Sequence, residues 1–200
     1  MAQAAVPDSE GLRFAVVQPV TRVLCLLLVV GAMPLVLPFG ASGSDPWTKL
    51  RRPLHVPHLA PGAPCPVTPA ISTKFGLAQG KGPVWPVLGF PQLNFIYPVR
   101  PQQTYYPSNW SGNKILWIAR RYRGPVLIRG AQLDGPNALR FGLDHVPAKE
   151  MRMTSVGGSS SGGWQNRPST TRLRAPGCYA WQVDGTTFSR IIVFKAVLYS

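Results

Sequence analysis

Short apolar runs separated by turn-forming residues make up most of the second half of the chain. The runs span residues 114–120, 125–130, 138–143, 170–175, 178–183 and 189–199, for example KILWIAR and SRIIVFKAVLY. They are rich in β-branched and aromatic residues, which fit the pleated surface of a sheet better than they fit a helix. The pattern therefore predicts a series of short strands.

Two Asp-Gly pairs mark turns between these predicted strands. Asp184 and Gly185 separate the last two apolar runs, and Asp134 precedes another glycine. Glycine adopts a positive φ readily, so Asp184 and Gly185 predict the turn of a β-hairpin that joins residues 178–183 to residues 189–199.

The predicted strand at residues 178–183 carries apolar groups on both faces. Side chains alternate along a strand, so Cys178 lies on one face and Tyr179 and Trp181 lie on the other. We expect Cys178 to point between two stacked sheets. Tyr179 and Trp181 would then point outward and need cover from the proline-rich first half of the chain.

The first half of the chain is less regular. Residues 65–111 contain apolar runs interrupted by prolines, which favours edge strands and long ordered loops over central strands. Residues 44–64 are proline-rich and basic without apolar periodicity, and we interpret them as a spacer. The Gly- and Ser-rich segment 155–164 is predicted to be a flexible loop.

Residues 23–39, VLCLLLVVGAMPLVLPF, form an uncharged apolar run that follows Arg13 and Arg22 and precedes the small residues GASGS. This is the layout of a secretory signal, although the run is long for a cleaved signal and short for a membrane span. Residues 1–43 are therefore interpreted as a signal peptide or as a retained membrane anchor. The basic residues on its two sides do not settle an orientation. Both interpretations predict export of the rest of the chain.

Composition agrees with an all-β class. The 200 residues include 22 prolines and 20 glycines, which disfavour long helices. The apolar fraction of 45% is enough to build a packed core. We predict a single β-sandwich domain over residues 65–200.

Cys65 and Cys178 are the cysteines that remain if Cys25 leaves with the signal or stays in the membrane. In an oxidising compartment two such thiols normally pair, so a Cys65–Cys178 disulfide is the leading interpretation. A buried free thiol and a reactive or metal-bound thiol are the alternatives.

Charge is the strongest functional signal in the sequence. Downstream of Gly43 there are 19 Lys or Arg residues and 5 Asp or Glu residues, an excess that attracts anionic partners. Arg120, Arg121, Arg123 and Arg129 form the densest group and are the anion-binding candidates. Export argues against nucleic acid and favours anionic lipid or a wall polymer as the partner. The alternative is that scattered arginines only keep the domain soluble.

Candidate catalytic and metal-binding residues are scarce. His145, with Asp144 beside it, is the one histidine of the predicted domain, and the GxSxG motif of hydrolases is absent. His55 and His58 lie near Cys65 in the chain, but a fourth metal ligand is missing. We predict no enzyme activity, no metal and no cofactor; an exported hydrolase with a site near His145 is the alternative.

Three segments resemble a known group of proteins. CPVT at Cys65, ILWIARRYRGPVLIRGAQLDG from Ile115 and APGCYAWQVDGTTFSRIIVF from Ala175 together resemble exported bacterial proteins that have a single immunoglobulin-like β-sandwich domain. The resemblance covers residues 65–196 and implies that fold, an extracytoplasmic location and a Cys65–Cys178 bridge. It implies no catalytic residue. The gap between the cysteines is much longer than in antibody-type domains.

These observations predict a binding or structural module of the bacterial cell envelope rather than an enzyme. The module is exported and is either secreted or held at the membrane through residues 23–39. Its basic face is expected to contact an anionic surface.

Overall fold

Strands form almost all of the regular structure of this protein. The computed structural model describes residues 45–90 and 92–199, so the predicted signal or anchor at residues 1–43 lies outside the described part. The described elements are α1 (Pro46–Leu50), β1 (Ala70–Thr73), β2 (Gly76–Gln79), β3 (Val84–Val87), β4 (Gln92–Phe95), β5 (Ser111–Arg120), β6 (Val126–Gln132), β7 (Arg140–Phe141), β8 (Met151–Met153), β9 (Ser159–Ser160), a 3-10 turn (Ser161–Gly163), β10 (Trp164–Leu173), β11 (Gly177–Gly185) and β12 (Ser189–Leu198). The all-β class is confirmed. None of the helical segments between residues 45 and 199 is long and apolar enough to cross a membrane.

The described strands form two sheets. Sheet A has the order β1-β2-β3-β5-β10-β7, and β9 also pairs with β10. Sheet B has the order β4-β12-β11-β6-β8. The described pairs are antiparallel except for β12 and β4, which run parallel.

The main hydrophobic core contains side chains from both sheets. Trp117 of β5 and Trp181 of β11 are fully buried and meet edge to face, with ring centroids 5.5 Å apart. Phe194 of β12 stacks on Trp181 at 3.8 Å. Aromatic pairs of this kind contribute about 0.5–1.5 kcal/mol beyond the area that they bury. This aromatic cluster therefore joins sheet A to sheet B.

The predicted strands differ from the observed ones mainly at their ends. The run at residues 138–143 is reduced to the two-residue strand β7, whereas β10 begins at Trp164, inside the segment predicted as a flexible loop. β10 is long because it pairs with β5 along its whole length, from Trp164 opposite Arg120 to Leu173 opposite Ser111. Pairing with a central strand orders residues whose local composition favours a loop.

The last hairpin is present, but its turn lies later in the chain than predicted. Asp184 belongs to β11, pairs with Ser189 of β12 and is fully buried. Residues 186–187 form the loop, which a hydrogen bond from the Gly185 N–H to the Phe188 carbonyl closes at 2.9 Å. The prediction that Asp184 and Gly185 form the turn is therefore wrong. Gly185 has no positive φ; the ring of Phe188 occupies the space where a side chain would begin.

Cys65 and Cys178 form a disulfide with their Cα atoms 5.4 Å apart. The bridge does not lie between the sheets as we expected. Cys178 belongs to a small second core with Leu133 on the outer face of sheet B, whereas Tyr179 and Trp181 point into the main core. The large aromatic side chains bury more apolar area than a cysteine, so they take the inter-sheet position.

Residues 45–64, most of the predicted spacer, lie along the outer face of sheet B. We name this segment the N-terminal strap. Val56 and Leu59 pack against the second core, and the Leu59 N–H donates to the Leu133 carbonyl at 2.7 Å. The disulfide at Cys65 then fastens the end of the strap to β11.

Candidate anion-binding patch and a cavity at the edge of sheet A

Three of the four candidate arginines lie together where β5 ends. Arg120 is the last residue of β5, Arg121 and Arg123 follow it, and all three are exposed. Arg121 has a φ of 61°, which is uncommon for a residue with a side chain and is found mainly in tight turns. The turn between β5 and β6 thus presents three cations to solvent.

Arg129 does not belong to this group. It lies on β6 in sheet B, close to the strap, and its side chain is 15% exposed. Its Nη2 donates to Asp184 Oδ2 at 2.8 Å and to the Arg52 carbonyl at 2.5 Å. The guanidinium of Arg129 is therefore engaged in internal contacts.

The carboxylate of Asp184 is the centre of this internal network. Its Oδ1 accepts hydrogen bonds from Ser189 Oγ at 2.6 Å and Arg52 Nη1 at 3.4 Å. Its Oδ2 accepts from Gln182 Nε2 at 3.0 Å in addition to Arg129. Two arginines and two neutral donors offset the cost of burying the charge, which is large for an unpaired carboxylate.

Three aromatic side chains lie beside the exposed arginines, on the outer face of sheet A. The rings of Trp85 and Phe75 each lie 5.8 Å from the ring of Trp164. The guanidinium of Arg120 lies 5.2 Å from the centroid of the Trp164 ring, within cation–π range. We name Phe75, Trp85, Trp164, Arg120 and Arg121 the aromatic-arginine patch.

The aromatic part of this patch was not predictable from the sequence. Trp85 and Trp164 lie on β3 and β10, far apart in the chain, and no local spacing connects them. They approach because β3 and β10 pair with opposite sides of β5, which places Trp85 opposite Ile118 and Trp164 opposite Arg120. The register of a central strand was needed to bring them together.

The histidines are dispersed in the described part of the chain. The His145 side chain is exposed, and its backbone carbonyl accepts a hydrogen bond from Ser108 Oγ at 2.7 Å. His55 and His58 are exposed on the strap, where the His55 N–H donates to Gln182 at 2.8 Å. Within residues 45–90 and 92–199, no group of three metal-ligating side chains is present.

A cavity of about 680 Å³ opens at the free edge of β10. Residues 167–170 all line it, and because consecutive side chains point to opposite faces, the cavity must run along the edge of the strand. β7 pairs only with residues 171–172 and β9 only with residues 164–165, so no described strand covers this stretch. Pro168 in its centre lacks an amide hydrogen, which sheets tolerate at an edge.

Apolar side chains form much of the cavity wall. Phe141, Met151 and Met153 line it from β7 and β8 and also belong to, or pack on, the main core. Leu143 at the mouth is 70% exposed. The volume lies within the range of about 300–1,000 Å³ that is usual for small-molecule sites.

The acidic side chain Glu150 on the cavity wall has partners of opposite charge, whereas two basic side chains there do not have one among the described residues. Lys114 and Arg167 line it, and neither side chain forms a hydrogen bond or an ion pair with a described residue. Glu150 lines it too, but Arg51 at 2.6 Å and Arg152 at 2.7 Å hold its carboxylate. Desolvation acts to raise the pKa of Glu150, but hydrogen bonds and charges of the two arginines outweigh it, so the pKa is below its usual value. The unpaired charge on the cavity wall is therefore mainly positive.

Arg172 is buried behind the cavity wall and has no carboxylate at hydrogen-bond distance in the described part. Its guanidinium donates to the carbonyl oxygens of Trp110, Gly142 and Asp144, at distances of 2.6 to 3.2 Å. The ring of Tyr105, which lines the cavity, stacks over it at 4.2 Å. Burial lowers the pKa of Arg172 and raises the pKa of Tyr105. Arg172 thus anchors the loops that form the wall.

No protein-family model matches the chain, and no curated protein matches it. Among solved structures, the chain is similar to one described as a putative lipoprotein from Bacillus anthracis, with 12% sequence identity and a TM-score of 0.43. The match covers 68% of this chain and 88% of that one. A likeness of this size transfers no function.

Proposed function

We propose that this protein is a non-enzymatic, exported binding module of the bacterial cell envelope that contacts anionic lipid head groups through the aromatic-arginine patch. We also propose that its two sheets form an immunoglobulin-like sandwich, as in the exported bacterial proteins that the sequence resembles. The Cys65–Cys178 disulfide supports export, since structural disulfides persist in oxidising compartments. The apolar run at residues 23–39 supports a position at or near a membrane, through a retained anchor or a cleaved signal.

The observation that carries this proposal is the position of Arg120 over the ring of Trp164, next to the exposed Arg121. Tryptophan prefers the boundary between lipid head groups and hydrocarbon, because its ring is apolar and its N–H is polar. Each basic residue at an anionic membrane surface contributes about 1 kcal/mol. Aromatic and basic side chains on one surface therefore suit a lipid head-group layer.

A wall polymer is the alternative anionic partner. Such a polymer would engage the arginines but offers no apolar layer for the rings of Trp85 and Trp164. Dependence on the aromatic side chains therefore separates the two partners. The adjacent rings favour the lipid surface.

The test is vesicle binding by the full chain held in a nanodisc of neutral phosphatidylcholine. We expect it to bind vesicles that contain phosphatidylglycerol and not vesicles of phosphatidylcholine alone. The double variant Arg120→Gln, Arg121→Gln should bind about thirtyfold more weakly, because two contributions of about 1 kcal/mol are lost. Binding should also weaken as salt is raised, because salt screens exposed charges.

Two control variants make the test specific. Arg190→Gln with Lys195→Gln removes the same charge from exposed positions on β12, away from the patch, and should bind almost as the unaltered chain does. Trp85→Ala should weaken vesicle binding, whereas binding to a soluble polyanion should not depend on it. Equal losses in the patch and control double variants would refute the patch; binding that depends on the arginines but not on Trp85 would favour a wall polymer.

A further inference from the structure

We propose that the cavity at the free edge of β10 binds a single-chain anionic amphiphile, whose acidic head group contacts Arg167 and whose chain lies against Phe141, Met151 and Met153. This site is separate from the aromatic-arginine patch and does not depend on it. The patch would contact the surface of a membrane, whereas the cavity would hold one molecule.

The apolar part of the wall requires an apolar ligand group. Phe141 and Met153 are part of the main core, so the cavity reaches the edge of the space between the two sheets. Methionine side chains are flexible and polarisable, and they adapt to chains of irregular shape. Leu143, with 70% of its surface exposed, would lose contact with water when a chain occupies the mouth.

The charges select the head group. Arg167 and Lys114 have no partner among the described residues, whereas the nearby carboxylate of Glu150 is already held by Arg51 and Arg152. An anionic head group would supply Arg167 with the partner that no described residue provides. Lys114, on the outer face of sheet A, adds positive charge to the cavity wall. Asp144, also on the wall, would repel an anionic head group, but its single negative charge is outweighed by the two positive charges of Arg167 and Lys114.

A peptide strand fits the edge less well. Strand addition depends on hydrogen bonds from the backbone of the exposed edge. Pro168 lies in the centre of the free stretch and has no N–H to donate. The described edge therefore lacks a donor that an added strand would need, and an amphiphile does not need it.

The experiment is photolabelling of the full chain with hexadecanoic acid that carries a diazirine on its chain, in a nanodisc of neutral lipid. The labelled peptides should contain residues 141–153 and 167–170. Unlabelled hexadecanoic acid and hexadecyl phosphate should both compete, whereas methyl hexadecanoate should compete at least tenfold less, because it lacks the charge. Competition by only one of the two acids would identify a carboxylate or a phosphate as the natural head group.

Matched variants test the two parts of the site. Arg167→Gln should weaken labelling about tenfold, the loss expected for a charge-assisted hydrogen bond, whereas Lys195→Gln on β12 should not. Leu143→Asp should reduce labelling, while Val146→Asp on the same loop should not, because Val146 is 78% exposed and does not line the cavity. All four positions are exposed, so folding should be preserved.

The proposal would be overturned by labelling spread evenly over the chain, by equal competition from the methyl ester, or by equal effects of Arg167→Gln and Lys195→Gln. Labelling confined to the residues Trp85 or Trp164 themselves, located by fragment-ion mass spectrometry, would instead assign the amphiphile to the patch. The variant Arg120→Gln, Arg121→Gln should leave cavity labelling unchanged, so failure of the membrane contact and failure of the cavity site can be distinguished.

Discussion

Asp184 and Arg129 form an ion pair, 2.8 Å between Oδ2 and Nη2, that is buried between sheet B and the N-terminal strap. Arg129 also donates a hydrogen bond to the Arg52 carbonyl in the strap. The guanidinium of Arg52 in turn forms an ion pair with Asp184. The pair therefore connects two strands of the sheet to a segment that precedes them by many residues.

We expect Asp184→Asn to lower the free energy of unfolding by about 3 kcal/mol, because it leaves Arg129 buried without a counter-ion. Urea denaturation at neutral pH measures this change. The double variant Asp184→Asn, Arg129→Gln should cost less than the sum of the two single variants, since it removes the unpaired charge. Additive costs, or a single-variant cost near zero, would show that the pair does not stabilise the fold.

The same substitution should loosen the strap before the sheets unfold. Trypsin should then cleave after Arg51 at urea concentrations at which the unaltered protein is resistant, because local opening precedes global unfolding. The bond after Arg52 is followed by Pro53 and is not a trypsin site. Cleavage that begins within the strands would contradict this order.

Removing the disulfide should destabilise the protein by a few kcal/mol. The bridge closes a loop of 113 residues, for which the chain-entropy estimate is about 4–5 kcal/mol as an upper value. We expect Cys178→Ala and Cys65→Ala to have similar effects on urea denaturation. Folded Cys178→Ala protein should bind anionic vesicles as before; loss of binding without unfolding would assign Cys178 a functional role.

Arg172→Lys should be destabilising although it conserves charge. The guanidinium donates to three backbone carbonyls at once, and the compact ammonium group of lysine cannot reproduce that geometry. We expect a loss of about 2 kcal/mol in thermal or urea denaturation. Arg174→Lys is the control, because Arg174 stacks on Trp110 at 4.2 Å and is only half buried, so its loss should stay below about 1 kcal/mol.

Gly130→Ala tests the close approach of β6 to β11. A β-carbon at Gly130 would overlap the Ala180 carbonyl oxygen and approach Leu139, so we expect a loss of about 1–3 kcal/mol. Gly158→Ala adds the same methyl group where no described atom lies within 4 Å and should change stability little. Similar effects of both variants on the midpoint of urea denaturation would contradict the packing described between these strands.

The ion pairs of Glu150 predict that part of the free energy of unfolding is lost at acidic pH. Its pKa is lower in the folded protein than in the unfolded chain, so its contribution is fully present above the unfolded pKa of about 4.3 and is lost as the pH falls through the folded pKa. Urea denaturation as a function of pH should show this loss, and Glu150→Gln should reduce it. An identical pH dependence in both proteins would show that Arg51 and Arg152 do not stabilise the ionised carboxylate.

Much of the fold was predictable from local pattern. The apolar runs at β5, β6, β11 and β12 appear as strands, and the last hairpin exists, because alternation and β-propensity act on neighbouring residues. The pairing of Cys65 with Cys178 followed from their number and from the expected compartment. The grouping of Arg120, Arg121 and Arg123 was visible because they are adjacent in the chain.

Positions that depend on register or on competition for buried space were not predictable. Asp184 resembled a turn residue, yet pairing with β12 carries β11 past it and buries its carboxylate beside Arg129. The cysteine took the outer face of sheet B because Trp181 fills more of the inter-sheet space, and the strap then covered the disulfide.

The sequence by itself determined the all-β class, the main strands and the excess of positive charge, since these follow from residue types and their spacing. Only the tertiary structure decided which face of each strand is buried, which arginines stay exposed, and that Trp85, Trp164 and Arg120 share one surface. The physical reason is that strand pairing joins residues far apart in the chain, and its register is set by the packing of the whole core.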